Sequence, residues 1–291
     1  MKSSIQNIAE KYFFAFGMLV LSLCYVLFPT SNPSCDAVNY AADVKYTTDL
    51  FWPHHLLHNA FHSVVYQFVS IFAQVDAMNL MNFVTAIFAI ATLLVVWRIL
   101  ARLTSKQTAQ SLTLFAGACN GFMRYSVQCE TYIIPIFFSV CASYFFIRII
   151  DEKKIWLTIL MGIMSVLACL FHQVKIFWPV VLFFALILNR QYLNSIIYFA
   201  VLMLIFAVYA VVLVFYNNTD LTLSSLVEFG LTHYISNGTQ SGFGFKSLVM
   251  IPISFFRSFM QVHGNFVLLR KIFPWLYAVF VILPIMGYAF Y

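Results

Sequence analysis

Residues 80–100 read LMNFVTAIFAIATLLVVWRIL and contain a single charged side chain, Arg98. A helix needs about 20 consecutive apolar residues to cross a bilayer, so this stretch predicts a membrane span. Other stretches have the same character: 12–29, 108–124, 131–150, 155–172, 175–189, 192–216 and 272–291. The stretch 247–269 is also long enough, although it carries Arg257 and His263, and with it we expect about nine spans.

The composition of the chain agrees with this pattern. Of the 291 residues, 63% are hydrophobic and 9% are charged, against about 45–50% and about 25% in soluble domains. The sequence therefore predicts an all-α polytopic integral membrane protein, with residues 1–291 as one transmembrane domain. The last residues, up to Tyr291, form an apolar run, which leaves a compact and a truncated chain both open. The net charge of +6 comes from scattered basic residues, so we expect no nucleic-acid partner.

Residues 54–75 decide the topology, because they mix apolar residues with four histidines and two glutamines. If they crossed the membrane, the basic residues after span 80–100 would lie opposite those at the N-terminus, against the positive-inside rule. If they instead form an amphipathic helix on the membrane surface, the spans alternate so that 11 of the 16 basic residues and three acids lie on the cytoplasmic side. We therefore expect a cytoplasmic N-terminus and a large first extracytoplasmic loop, 30–79, that bears juxtamembrane helices.

On this topology the unusual polar residues collect on the extracytoplasmic face. Ionisable groups at membrane depth are costly and usually face a cavity or a partner, so four loops that carry them on one face predict a shared cleft. Asp36, early in the first loop, is suited to act as a general base. A metal ligand, a solvated acid and a helix N-cap are the alternatives. Cys35 and Cys129 are both outside, and a disulfide between them stays open.

The first loop also holds the segment Trp52-Pro53-His54-His55-Leu56-Leu57-His58. Histidines three or four positions apart share a helix face, and such pairs are suited to bind a divalent metal. His54 and His58 are the candidate ligands, although no cofactor is certain. Contact with a substrate phosphate, or hydrogen bonds to lipid headgroups and neighbouring loops, are the other interpretations.

Later segments supply further candidates on the same face. Arg124 and Glu130 either pair with each other, or bind a phosphate and orient an acceptor or a histidine. Lys175, near His172, either snorkels to the membrane surface or neutralises a phosphate. Arg257 is a further candidate cation.

In their order and on their common face, these motifs resemble the GT-C superfamily of membrane glycosyltransferases. The resemblance is to its bacterial branch, similar to protein O-mannosyltransferases and aminoarabinose transferases. The residues that carry it are Asp36 in Asp-Ala-Val-Asn-Tyr, Pro53-His54-His55-Leu56-Leu57-His58, Arg124-Tyr125 with Glu130-Thr131-Tyr132, and Phe171-His172-Gln173. Together they cover roughly residues 10–180.

The resemblance implies a multi-pass protein of the bacterial inner membrane. Such a protein moves a sugar from a polyprenyl-phosphate-linked donor to an extracytoplasmic acceptor, with Asp36 as the catalytic base. Membrane lipid is a further partner, and the acceptor is left open. The candidate substrate-binding residues are Asp43, His54, His55, His58, Arg124, Glu130, Tyr132, His172, Gln173, Lys175 and Arg257.

Two other functions remain open at this point. One is a transporter or flippase of a lipid-linked saccharide, and the other is a non-catalytic scaffold with the same fold. Transporters tend to have inverted repeats and polar sites at mid-depth. Here the polar residues lie at one face and no repeat is visible, which favours the enzyme over the transporter.

Overall fold

The computed structural model describes residues 2–236, 244–259 and 275, with the backbone alone for 2–11, 232–236, 246, 247 and 249. Every regular element in these residues is helical and no strand occurs among them, which confirms the all-α class. A bilayer favours helices because they satisfy their own backbone hydrogen bonds. The predicted span 272–291, apart from Trp275, and the end of the span 247–269 lie outside the described residues.

The described helices follow one another with short connections. They are α1 (Lys2–Leu27), α2 (Cys35–Tyr46), α3 (His58–Ser70), α4 (Ala77–Leu103), α5 (Lys106–Ala118), α6 (Asn120–Ser126), α7 (Ile133–Glu152), α8 (Ile155–Phe171), α9 (Phe177–Leu188), α10 (Tyr192–Leu202), α11 (Leu204–Phe215), α12 (Leu223–Ser236) and α13 (Phe245–Phe259). Two 3₁₀ turns, Pro53–His55 and Gln173–Ile176, precede α3 and α9.

Within the described residues, three helical stretches are long and apolar enough to cross a membrane. They are Ala77–Leu103, Ile133–Glu152 and the α10–α11 pair Tyr192–Phe215. Shorter apolar helices cover Tyr12–Leu27, Ile155–Phe171 and Gln173–Leu188. The protein is therefore a membrane protein with several hydrophobic helices.

The stretch 108–124, predicted as one continuous span, is divided in the structure. Helix α5 ends at Ala118 and α6 begins at Asn120. Only Cys119 lies between the two helices, and α6 begins with Asn120 and Gly121, two residues of low helix propensity. Hydropathy averaged over the stretch does not register such a local break, and so the sequence predicted an unbroken helix there.

The chain divides into two compact units, one of residues 1–118 and 122–242 and the other of 119–121 and 243–291. The second unit contains α13, whose Arg257 carbonyl accepts a hydrogen bond from Asn120 Nδ2 at 3.0 Å. The backbone of Ser258 approaches Gly121 so closely that a Cβ there would lie 3.3 Å from it. A small residue is therefore needed at position 121.

In the first unit, α7 packs against α8 and α4, and α8 packs also against α10. Helices α8 and α10 approach each other at Gly162, where a Cβ would lie 2.6 Å from Val201 Cγ1. A buried hydrogen bond of 2.7 Å joins the hydroxyls of Ser165 and Tyr198 across the same pair. Small residues and polar contacts of this kind are typical of helix packing in membranes.

The two ends of α7 differ in chemistry. At its C-terminal end, Arg148 is paired with Glu152 at 2.7 Å, and Arg102 of α4 is paired with Asp151 at 3.3 Å. The N-terminal end, at Ile133, lies beside the C-terminal end of α8 and the polar segments described below. The 20 residues of α7 span about 30 Å, which matches the hydrocarbon core of a bilayer.

Helix α3 is inverted compared with a helix of a soluble protein. Its buried residues are all polar, namely His58, Asn59, His62 and Ser63. Its exposed side carries Val64 and Phe68, and Ile71 and Phe72 follow directly after its last residue; each of the four is more than 60% exposed. A helix of 13 residues is about 20 Å long, which is too short to cross a bilayer core of about 30 Å.

Candidate active site

Asp36 lies in the first turn of α2 and its side chain is exposed. The N-cap of α2 is Ser34, whose Oγ accepts a hydrogen bond from the Ala37 amide at 3.0 Å. Asp36 therefore does not fill the N-cap position that the sequence left open for it. Asp36 instead lies two positions beyond this cap, in the first turn of α2, with its side chain exposed to an approaching acceptor.

Four histidines form a continuous column beside α2. The ring centroids are 4.1 Å apart for His54 and His55, 5.7 Å for His55 and His58, and 4.8 Å for His58 and His62. His55, His58 and His62 are each 1% exposed or less. The column is held in place where the Leu57 amide donates to the Leu170 carbonyl of α8 at 3.0 Å.

Burial keeps the inner histidines neutral. It lowers the pKa of His58 well below the usual range, and the nearby His62, His55 and His172 rings act in the same direction. Burial alone lowers the pKa of His62 to about 3. His62 Nε2 has no hydrogen-bond partner within the described residues.

Tyr40 connects the histidine column to the acidic groups. Its ring centroid lies 4.8 Å from that of His55 and 5.2 Å from that of His58. Burial raises the pKa of the Tyr40 phenol above its usual range, and the carboxylates of Asp36 and Glu130 add to the effect. Asp36 and Glu130 therefore lie near the same phenol, although 94 positions separate them in the sequence.

A second aromatic series leads to the start of α7 and the end of α8. The ring centroids of Tyr125 and Tyr132 are 4.6 Å apart, and those of Tyr132 and His172 are 5.6 Å apart. Lys175, on the 3₁₀ turn that follows, acts electrostatically on His172. The Arg124 guanidinium lies over the Tyr125 ring, 5.8 Å from its centroid.

Glu130 and Arg124 have different partners in the structure. The Glu130 carboxylate accepts a short hydrogen bond from the Ser34 hydroxyl and is 6% exposed. The exposed Arg124 is associated with Tyr125 instead. No ion pair joins Arg124 and Glu130 in the described part of the chain.

Asp43, one of the predicted substrate-binding residues, is held by three donors. Its carboxylate accepts from Trp52 Nε1 at 3.2 Å, Asn59 Nδ2 at 3.0 Å and Thr48 Oγ1 at 3.3 Å. Burial raises the pKa of Asp43, whereas these hydrogen bonds oppose the change. The contacts fasten the end of α2 to the histidine segment and to α3, which is a structural role.

An apolar cavity of about 350 Å³ lies beside Gln173. Gln173 Nε2 donates to the Gly230 carbonyl at 2.8 Å and closes one side. The rest of the lining comes from α8, the following 3₁₀ turn, α11 and α12: Cys169, Ile176, Ile205, Phe206, Tyr209, Leu223, Leu226, Val227 and Leu231. The volume falls in the range of small-molecule sites.

Three other predictions concern Arg257, a disulfide between Cys35 and Cys129, and a metal site. Arg257 lies in α13 and belongs to the second unit. Cys35 is an exposed free thiol, and the buried Cys129 donates to the Ala37 carbonyl at 3.5 Å. Within the described residues no group of three or more His, Cys, Asp or Glu is arranged to hold a metal ion. A metal-binding role of His54 and His58 thus stays a hypothesis.

The sequence reasoning missed Tyr40 and Ser34. Tyr40 follows Asp36 by four positions, and this spacing places both side chains on one face of a helix; that signal was available. Ser34 is separated from Glu130 by 96 positions, and no local pattern indicates their contact.

Several hydrophobic helices, with acidic, phenolic and imidazole groups gathered at one end, define a membrane protein with a surface-facing polar site. The family model described as dolichyl-phosphate-mannose-protein mannosyltransferase matches residues 63–215. Because the match covers more than half of the chain, the protein belongs to this family of glycosyltransferases, which is of the GT-C type. The resemblance to the GT-C superfamily is thus confirmed. Searches of curated proteins and of solved structures gave no match.

The family match covers only part of the candidate site. It includes Arg124, Glu130, Tyr132, His172 and Lys175, and it begins after Asp36 and the histidine column. The roles of the first-loop residues therefore rest on geometry and on the resemblance described above.

Proposed function

We propose that the protein transfers a sugar from a polyprenyl-phosphate-linked donor to an acceptor on the extracytoplasmic face of the bacterial inner membrane. The observation that supports this most is the meeting of Asp36, Glu130, Tyr132 and His172 around one surface site. The site lies at the end of helices that reach into the bilayer. A lipid donor and a polar acceptor can both reach such a position.

In the proposed reaction Asp36 is the general base. It takes the proton of the acceptor hydroxyl while the acceptor oxygen forms a bond to the anomeric carbon of the sugar. The bond from that carbon to the phosphate oxygen breaks, and its electron pair leaves with the polyprenyl phosphate. This direct displacement inverts the configuration of the anomeric carbon.

The leaving phosphate requires positive charge or hydrogen-bond donors close to its oxygens. His172 contacts the Tyr132 ring, and Lys175 acts electrostatically on His172. On the other side of Tyr132 lies the Tyr125 ring, which carries the Arg124 guanidinium over its face. We assign His172, Lys175 and Arg124 to the phosphate and leave Arg257 as a further candidate. We place His55 and His58 behind Tyr40, on the inner side of the site, with His54 next to His55.

The cavity beside Gln173 supports a lipid-linked donor. Its lining is almost entirely apolar, and two of the lining residues, Gln173 and Ile176, flank Lys175 in the sequence. A phosphate near His172 and Lys175 would leave the first isoprene units next to this cavity. Burial of apolar chain there contributes about 25 cal/mol per Å².

The function is tested by reconstituting the purified protein in lipid vesicles with polyprenyl-phosphate mannose, because the family description names mannose. We expect release of polyprenyl phosphate and transfer of labelled sugar to acceptors in an added membrane extract. Movement of intact donor between leaflets without release would instead support a flippase. If a panel of polyprenyl-phosphate sugars gives neither result, the scaffold interpretation is favoured.

The topology that places the site outside is also a proposal, with about nine spans and a cytoplasmic N-terminus. The inverted α3, with apolar side chains outward and a length of about 20 Å, suits a helix lying in the membrane interface. In this arrangement the Arg102–Asp151 and Arg148–Glu152 pairs lie on the cytoplasmic side.

Labelling with a membrane-impermeant maleimide tests this topology. We expect Cys35 to react in intact cells, since it is exposed in the first loop. In a Cys35→Ser background, Ser105→Cys, between α4 and α5, should react only after the membrane is permeabilised. Reaction of Ser105→Cys from outside would show that residues 54–75 cross the membrane.

A further inference from the structure

The segment that precedes α7 fastens the start of α2 at three points. The Thr30 amide donates to the Val127 carbonyl at 2.9 Å. The Cys129 thiol donates to the Ala37 carbonyl at 3.5 Å, and the Ser34 hydroxyl donates to Glu130. Only the last of these contacts involves a charged group.

The Ser34 hydroxyl has two partners at once. It donates its proton to Glu130 Oε1 and accepts from the Ala37 amide at 3.0 Å. This places the negative charge of Glu130 one hydrogen bond away from the positive end of the α2 dipole. Hydrogen bonds to a carboxylate are shorter and stronger than neutral ones.

The Glu130 carboxylate is buried and therefore depends on its hydrogen bond to Ser34. The residue is 6% exposed and forms no ion pair among the described residues. A buried carboxylate is costly unless hydrogen bonds compensate it. Ser34 supplies such a bond, so Glu130 and the α2 terminus stabilise each other.

Asp36 is two positions beyond Ser34 in the same helical turn. Its exposed side chain is placed through the backbone of that turn, which Ser34 and Glu130 hold. Glu130 is itself two positions from Tyr132, whose ring contacts His172. The Ser34–Glu130 hydrogen bond thus joins the turn that carries Asp36, the proposed base, to the segment that carries Tyr132, beside the proposed phosphate site.

We propose that Glu130 is a positioning residue that acts through Ser34 to fix Asp36 relative to Tyr132 and His172. This inference rests on the proposed function for its effect on sugar transfer. The fixation of α2 that it requires is a property of the folded protein alone.

The test compares Ser34→Ala, Glu130→Leu and their combination with Ser34→Thr, which retains the hydroxyl and the cap. Misplacement of a reacting group by about 1 Å can lower a rate by about 100-fold. We expect each of the first two variants to lower kcat by about 10- to 100-fold with KM for the lipid donor unchanged. The double variant should be no worse than either single one, because both remove one link. Ser34→Thr should restore most of kcat.

Asp76→Ala is the matched control, because Asp76 caps α4 by accepting from the Asn79 amide at 2.9 Å. It should lower stability as a lost cap does, without changing kcat. A raised KM with unchanged kcat in Glu130→Leu would mean that Glu130 binds the donor directly, and it would overturn the positioning role. Additive losses in the double variant would do the same.

Amide hydrogen exchange of residues 37–40 tests the fixation independently of activity. We expect faster exchange in Ser34→Ala and Glu130→Leu, and wild-type exchange in Ser34→Thr. Unchanged exchange in the first two variants overturns the inference even if their transfer activity falls. Absence of transfer by the wild type, with exchange as expected, would overturn the proposed function and leave the positioning contact in place.

Discussion

Asp36→Asn is expected to lower the turnover of sugar transfer by about 10²- to 10⁴-fold, the range typical of a lost general base. The amide is nearly the same size as the carboxylate but cannot accept the proton of the acceptor. Because the Asp36 side chain is exposed in the first turn of α2, the substitution leaves the core intact. Turnover is measured as release of polyprenyl phosphate, with donor binding measured separately and expected to persist.

Two acid-to-amide variants in the same loop serve as controls. Asp76→Asn keeps a good N-cap and should leave turnover unchanged. Asp43→Asn alters a carboxylate that Trp52 and Asn59 hold, and should have a smaller effect, through looser packing of α2 on α3. Near-normal transfer by Asp36→Asn would remove it as the base, and Asp43 or Glu130 would become the next candidate.

Hydropathy predicted the helical class and the approximate positions of most described membrane helices, because burial in lipid requires long apolar stretches. It did not predict the break at Cys119 between α5 and α6, since a break confined to one residue hardly changes the average hydropathy of the stretch. It also did not predict α12, whose 14 residues are fewer than a membrane span needs and mix apolar side chains with Ser, Thr, Glu and His.

The residue types of the candidate site were accessible from the sequence, whereas their contacts were not. Asp36, Glu130 and His172 could each be singled out, because ionisable residues are unusual in such an apolar chain. The pairing of Glu130 with Ser34 and of Arg124 with Tyr125 depends on how α2 meets the segment before α7. That meeting is a tertiary contact without a local sequence signal. The structural role of Asp43 has the same origin.

Acidification is expected to destabilise the packing of α3. In the unfolded chain a histidine takes up its proton near pH 6.5, whereas in the folded protein His62 does so only near pH 3. Between these values the unfolded state binds more protons, so the free energy of unfolding falls as the pH falls. The slope is up to about 1.4 kcal/mol per pH unit for each such histidine. His58, whose pKa is also lowered by burial, should add to it.

The measurement is the thermal-unfolding midpoint of the purified protein between about pH 7.5 and 4.5, with hydrogen exchange of the α3 amides followed in parallel. Above pH 6.5 the histidines are neutral in both states, so the midpoint should be nearly constant. His62→Gln replaces the titrating ring by a neutral side chain of similar size. We expect the slope of the free energy of unfolding against pH to fall by the contribution of one bound proton.

Phe61→Leu is the matched control on the same helix. Phe61 contacts His62, Phe88 and Phe171, with centroid distances of 5.3, 6.0 and 5.5 Å. Its truncation should lower stability by about 1 kcal/mol at every pH and leave the slope as in the wild type. An unchanged slope in His62→Gln would mean that the folded protein protonates His62 as readily as the unfolded chain. The buried column would then have to be hydrated rather than dry.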